Sequence, residues 1–245
     1  MNISLFKNNI QPACNIKTKI LGINNNIKFK PVQDSFECNS VEGFYLKFKN
    51  KLKALVTDKQ GNFIYRQPDK TELVPIKSGT TEMYIEKVIG KGDVCKFNFD
   101  KEYKPLNEAM GILEHGTSEK SFNEIKKNGF SVGEGFAETF HGVYLTRKVD
   151  GANHYGEKQL QCRLKGNAAT GNIDYISDFL FYPTAIDDYI EKNNLKFDAH
   201  KLKEMLLKDE FKNRGFDALY SDRIAPFAKC KSVVVFDPKN LEILN

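Results

Sequence analysis

Ile112-Leu113-Glu114-His115-Gly116-Thr117-Ser118 is the stretch on which the reading of this chain of 245 residues turns. Ile112 to Glu114 read as a short strand, and His115-Gly116-Thr117 as the turn by which the chain leaves it. Ser118 offers a hydroxyl to the free N–H groups that open a helix. Phe122 and Ile125 then recur at helical spacing, and Gly129 is placed to end that helix, since glycine accepts the backbone twist of a helix C-terminus.

Towards the C-terminus, helices and strands continue to alternate. Gly142-Val-Tyr144-Leu-Thr146 reads as a strand, Gly151 to Glu157 as a short helix and Gln159 to Leu164 as another strand. Residues 184–193 and 199–213 are predicted helices, the second with Leu202, Met205 and Leu206 on one face. Gly215 to Tyr220 and Ser232 to Asp237 read as closing strands, and no internal repeat is visible.

Towards the N-terminus the pattern changes. Residues 40–105 predict a small β-rich module, with Phe44, Leu46 and Phe48 alternating with Tyr45, Lys47 and Lys49. Lys53–Thr57 and Phe63–Tyr65 flank the turn Asp58–Asn62 as a hairpin, and Glu82–Ile89 turns through Gly90–Asp93 into Val94–Phe99 as a second. On an extended chain Lys47, Lys49, Lys51 and Lys53 form a ladder of amines on one side, either a solvated edge or a phosphate-binding surface. Residues 1–39 are rich in Asn and Lys, carry no carboxylate before Asp34 and hold neither strand nor helix period, which predicts a flexible leader.

Composition bounds the rest. A formal charge of +5 is too small to indicate a nucleic-acid protein by itself. The five cysteines are widely spaced, with neither a disulfide framework nor a zinc pair, and His141 and His154 have no accompanying ligand set, so no metal is expected. Nothing approaches the roughly 20 apolar residues of a membrane helix, and the N-terminus lacks the apolar core of a signal peptide. The expected location is the cytoplasm, or export as an effector, with no membrane partner.

The ordered set His115-Gly116-Thr117, Gly142-Val-Tyr144-Leu-Thr146 and Ala152-Asn-His-Tyr155-Gly156 resembles the ADP-ribosyltransferases of the diphtheria-toxin and poly(ADP-ribose) polymerase type, the His-Tyr-Glu group. Tyr144 and Tyr155 stand eleven positions apart, the spacing typical of that family. Gln161–Asn167 is similar to the family strand that follows the second tyrosine. Gly215-Phe-Asp-Ala-Leu219 and Val234-Val-Phe-Asp-Pro238 are similar to its last strands, so the resemblance covers residues 106–245. It implies an α+β fold of split antiparallel β-sheets with flanking helices, preceded here by the β-rich N-terminal module. It also implies NAD as the substrate of a glycosyltransferase that releases nicotinamide.

The implied roles follow the chemistry. Breaking the nicotinamide–ribose bond makes an oxocarbenium-like sugar, so the site must hold the leaving group and steady a positive charge. By resemblance His115 contacts the ribose of the adenosine half, and Gly116, with no Cβ, brings its backbone to the nicotinamide amide beside Thr117. Tyr144 and Tyr155 sandwich the nicotinamide ring between flat apolar walls. Taken singly, His115 also reads as a satisfied polar residue at a strand end and Tyr144 as a core residue.

The family's glutamate at the start of the last long strand is not matched: Ser232 stands in its place, and it carries no charge. Asp222, in the predicted loop before that strand, is the first substitute carboxylate, with Glu134 and Glu138 behind it. Three functions stay open. One is mono-ADP-ribosylation of a macromolecular acceptor, protein rather than nucleic acid, by a bacterial or phage toxin or effector. Another is a catalytically weak or inactive module that binds NAD or ADP-ribose. The third is a nucleic-acid-directed ADP-ribosyltransferase, suggested by the lysine ladder.

Overall fold

Ser40 starts a helix where the alternation of Phe44, Leu46 and Phe48 predicts a strand. The computed structural model describes residues 40–67, 70–78, 81–89, 92–132, 140–147, 152–224 and 231–244; for 70–89, His154, 222–224 and Lys231 it describes the backbone alone. The leader expected over residues 1–39 lies outside the described residues, as do Glu134 and Glu138. Cys38–Asn245 forms one compact unit.

In chain order the elements are α1 (Val41–Val56), β1 (Asn62–Arg66), β2 (Lys70–Ser78), β3 (Thr81–Ile89), β4 (Val94–Asn98), α2 (Phe99–Glu102), β5 (Lys104–Pro105), β6 (Leu113–Thr117) and α3 (Glu119–Asn128). There follow β7 (Val143–Arg147), a 3-10 turn (Ala152–Tyr155), β8 (Lys158–Leu164), β9 (Ala168–Gly171), α4 (Ile173–Phe181), α5 (Ala185–Lys192) and α6 (Ala199–Asn213). The chain closes with β10 (Ala218–Ile224), β11 (Lys231–Val235), a second 3-10 turn (Pro238–Asn240) and β12 (Leu241–Ile243). The molecule is α+β.

The first correction concerns α1. Phe44, Tyr45, Leu52 and Val56 are buried and fall on one helical face, whereas Leu46, inward in the strand reading, is 71% exposed. A period near 3.6 therefore wins over a period of two across this segment. The Ser40 hydroxyl accepts from the Gly43 N–H at 3.0 Å, and Glu42 and Lys53 suit the two ends of the helix dipole. The lysine ladder disappears with the strand, because residues two apart on a helix point in different directions. Lys51 donates to the Tyr189 hydroxyl at 3.0 Å, Lys53 pairs with the buried Glu210 at 2.5 Å, and Lys49 lies 3.6 Å from Asp209.

The hairpins are also rearranged. The Asp58–Asn62 turn is present and β1 follows it, but its strand-type pairing with the preceding chain is a single bridge, Thr57–Phe63. β1 pairs antiparallel with β4, while β2 pairs with β3. The expected Glu82–Phe99 hairpin is thus divided between two pairings. The β1–β4 pairing stacks Phe63 on Phe97 at 5.2 Å and sets Phe63 edge-on to Phe179 of α4 at 5.4 Å. Burying these aromatic rings together outweighs a merely local turn.

Eight strands form one mixed sheet in the order β12-β8-β6-β7-β11-β10-β9-β5, with β9 and β10 parallel and the other neighbours antiparallel. One face buries Leu113, Val143, Leu145, Leu160, Cys162, Val233 and Val235, with Phe122 and Ile125 of α3 packed against it. Burial pushes the Cys162 thiol up to about 12, so it is an inert core residue.

The second face carries Val234 and Phe236 and meets an aromatic and helical layer. Phe211 of α6 lies 4.6 Å from Phe99, 5.9 Å from Phe140 and 5.1 Å from Phe236, ring centre to ring centre. The helices α1, α4 and α5 pack on α6. This layer occupies part of the second face and positions the entry to β7. No helix of the described residues is long and apolar enough to cross a membrane.

Candidate functional site

β6 and β7 pair only at Leu113–Arg147 and Glu114–Thr146, and the next residue of β6 is His115. Its Nδ1 lies 2.8 Å from the Tyr144 carbonyl oxygen. A carbonyl only accepts, so Nδ1 carries the hydrogen, and the tautomer with that arrangement presents Nε2 as an acceptor. The imidazole thus replaces a backbone rung where the strands part. Phe130 holds it edge-on, with centroids 5.1 Å apart.

β6 stays paired with β8 through His115, Gly116 and Thr117, so the parting opens a notch on the β7 side alone. Gly116 faces the 3-10 turn across it. A Cβ on Gly116 would collide with the Ala152 carbonyl oxygen and stand 3.1 Å from the Tyr155 Cβ. A Cβ on Gly156 would collide with the Thr117 backbone. Glycine at both positions is what lets the turn lie directly on β6, and this brings Tyr155 to the notch. The short helix expected over Gly151–Glu157 is, in its described part, this single turn.

Tyr144 begins the other wall. Its hydroxyl donates to the Phe140 carbonyl at 2.8 Å, yet the residue is 37% exposed, and Tyr155 is 50% exposed. Large half-open aromatic faces beside a bare glycine backbone suit a flat ligand. The entry to β7 is clamped from α6: the His141 N–H donates to Glu204 at 2.9 Å, and Lys208 donates to the His141 carbonyl. Burial pushes the Glu204 carboxyl up, but the Lys208 ammonium and His141 outweigh it, and the net shift is downward. His141, given no role from sequence, is therefore part of the scaffold.

Opposed residues of a ladder share a face. By that rule Gln161, Glu114, Thr146 and Ser232 form one row across β8, β6, β7 and β11. Tyr144 and Val234 face each other one step further along, on the same side as Gly116. Ser232 is half-buried in this row. Glu114 is 6% exposed, and among the described residues no cation or donor meets its carboxylate, whose oxygens are not fully closed off from solvent. The sequence reading passed over Glu114 as one residue of a strand. Alternation placed it opposite to His115, but only the cross-strand register sets it in line with Ser232.

Asp222 lies within β10 rather than in a loop, because the pairing of Ile224 with Lys231 extends the strand past an irregularity after Tyr220. Its side chain, like Glu134 and Glu138, is outside what is described. His115, Gly116, Thr117, Tyr144 and Tyr155 meet at the notch, with Ser232 in the neighbouring row. A separate groove of about 760 Å³ includes Leu106, Met110, Arg163 and Arg214 in its lining, and none of the notch residues lines it. Compared with known proteins, the chain matches no family model and no curated protein.

Proposed function

We propose that this protein transfers ADP-ribose from NAD to a macromolecular acceptor, a protein rather than a nucleic acid, with the notch between β6 and β7 as the NAD site. The observation that carries the reading is the meeting of His115, Gly116, Tyr144 and Tyr155, up to forty positions apart, at one interruption of the sheet. The fit to NAD is chemical. Gly116 presents bare backbone donors and acceptors to the nicotinamide amide, and the two tyrosines offer aromatic walls for its ring. His115 Nε2 is free to accept from a ribose hydroxyl of the adenosine half.

Holding the nicotinamide flat and the ribose against it orients the glycosidic bond for cleavage and limits the freedom lost in reaching the transition state. The toxin or effector setting belongs to the same proposal. The lysine ladder that suggested a nucleic-acid-directed enzyme gives it no support, since Lys49, Lys51 and Lys53 face partners on the helical layer.

A second reading is favoured by Ser232, which puts no charge where the resembling enzymes put a carboxylate. It is an NAD- or ADP-ribose-binding module without turnover. Thermal melts with and without millimolar NAD, together with release of nicotinamide, separate the two readings. A melt shift with release supports transfer, and mass spectrometry after incubation with labelled NAD then identifies the acceptor. A shift without release supports the binding module. Neither shift nor release would sink both, because a ligand held by the native state alone must raise its stability.

A further inference from the structure

We infer that Glu114 supplies the catalytic carboxylate that position 232 lacks, acting from β6, two strands away from Ser232; this rests on the NAD-site reading above. Glu114 and Ser232 stand on either side of Thr146 in the row Gln161, Glu114, Thr146, Ser232 on one face of the sheet. Neighbouring residues of such a row are about 5 Å apart at Cβ, so the two positions stand roughly 10 Å apart. Thr146 between them is short, and its hydroxyl leans on the Glu114 carbonyl at 3.5 Å. The row lies on the face of the sheet that also carries Gly116 and Tyr144, so Glu114 and Ser232 border the same side of the notch.

The state of the side chain is the second observation. Glu114 is 6% exposed, its carboxylate has no bonding partner among the described residues, and its oxygens are not among the fully closed-off atoms. Buried carboxylates are ordinarily bonded or paired, because withdrawing a charge from water without compensation is costly. A carboxylate on a mostly buried residue whose oxygens still reach solvent unbonded, two positions from Gly116 and in the row next to Tyr144, is placed to receive its partner from a ligand.

The chemistry balances with this one group. The C1′–N bond of NAD breaks with its electron pair passing to the nicotinamide nitrogen, which leaves neutral. The positive charge moves to the ribosyl oxocarbenium, and the Glu114 carboxylate stabilises it at short range. The acceptor's nucleophilic oxygen or nitrogen, or water in hydrolysis, then bonds to C1′, and the proton it loses goes to Glu114.

The test measures nicotinamide release and NAD-dependent melting on the full chain. Glu114→Gln is expected to keep the NAD melt shift and lose about 100-fold or more in release. Adding Ser232→Glu to Glu114→Gln should restore release at least about tenfold, an outcome that a packing role for Glu114 does not produce. If Glu114→Gln misfolds, Glu114→Asp keeps the charge but draws it back, and release should fall about tenfold with the NAD melt shift retained. Release within about twofold of wild type in a folded Glu114→Gln or Glu114→Asp variant overturns the inference and leaves the proposed function standing. Wild type that binds NAD without releasing nicotinamide also overturns it, in favour of the binding module. Wild type that does neither removes the NAD site itself.

Discussion

At the scale of single residues, the candidate site depends on a glycine that has no room to be anything else. A methyl group on Gly116 runs into the Ala152 carbonyl and close to Tyr155, so Gly116→Ala must lift the 3-10 turn off β6. Overpacking of this kind costs about 1–3 kcal/mol. The larger effect belongs to the site, because displacing the turn displaces Tyr155. Gly116→Ala is expected to lower stability by that amount in urea titrations and to abolish the NAD melt shift. A variant that binds NAD as tightly as wild type would show that the turn is not a wall of the NAD site.

At the scale of elements, local signals held where side chains alone cap or stop the backbone. α3 begins at Ser118, whose hydroxyl accepts from the Ser121 N–H at 3.2 Å, and it ends at Gly129 with φ 78°, as the sequence predicts. α1 shows the opposite case. Its strand reading came from three alternating apolar residues, and the helix came from the need to bury Phe44, Leu52 and Val56 together.

Ser40→Ala should remove the cap of α1 and cost about 1 kcal/mol of unfolding free energy, measured by urea denaturation. The turn after α1 adds a pH dependence. Hydrogen bonds from the Asn62 side chain, ahead of backbone donors and Lys96, hold the Asp58 carboxyl at about 2. An unfolded aspartate titrates near about 3.9. A lowered folded value means a stabilising contribution that is complete above the unfolded value and lost as the pH falls through the folded one. Asp58→Asn should therefore destabilise the protein at neutral pH, and the gap to wild type should narrow below about pH 4 and close near pH 2. A gap that stays constant across acid melts would mean that Asp58 acts through shape rather than charge.

At the scale of the whole molecule, the N-terminal segment is bound into the rest. Phe99 packs on Phe211, Phe63 on Phe179, and Lys53 meets Glu210, which is only 3% exposed. Removing residues 1–103 would bare α6 and leave Glu210 with one of its two cations, Arg214. Uncovered aromatic surface and a half-paired buried carboxylate are strongly destabilising. A chain beginning at residue 104 is expected to lack a cooperative thermal transition by circular dichroism. A sharp melt from it would show that residues 106–245 fold without that cover.

The sequence by itself determined the α3 boundaries, the approximate positions of β7, β8 and β11, and the candidates His115, Gly116, Tyr144 and Tyr155; it read His115–Thr117 as a turn, where pairing with β8 carries them on as β6. Each depends on neighbours within a few positions, or on a motif that keeps its order along the chain. Tertiary structure decided what depends on distant partners. α1 is helical because α5 and α6 take up its face, and β1 pairs with β4 because Phe63 and Phe97 share one core. Glu114 comes into line with Ser232 because β6, β7 and β11 lie side by side in one register. Burial and register are properties of the assembled sheet. A chain read one residue at a time carries the alternation of Glu114 and His115, but not the strands that stand beside them.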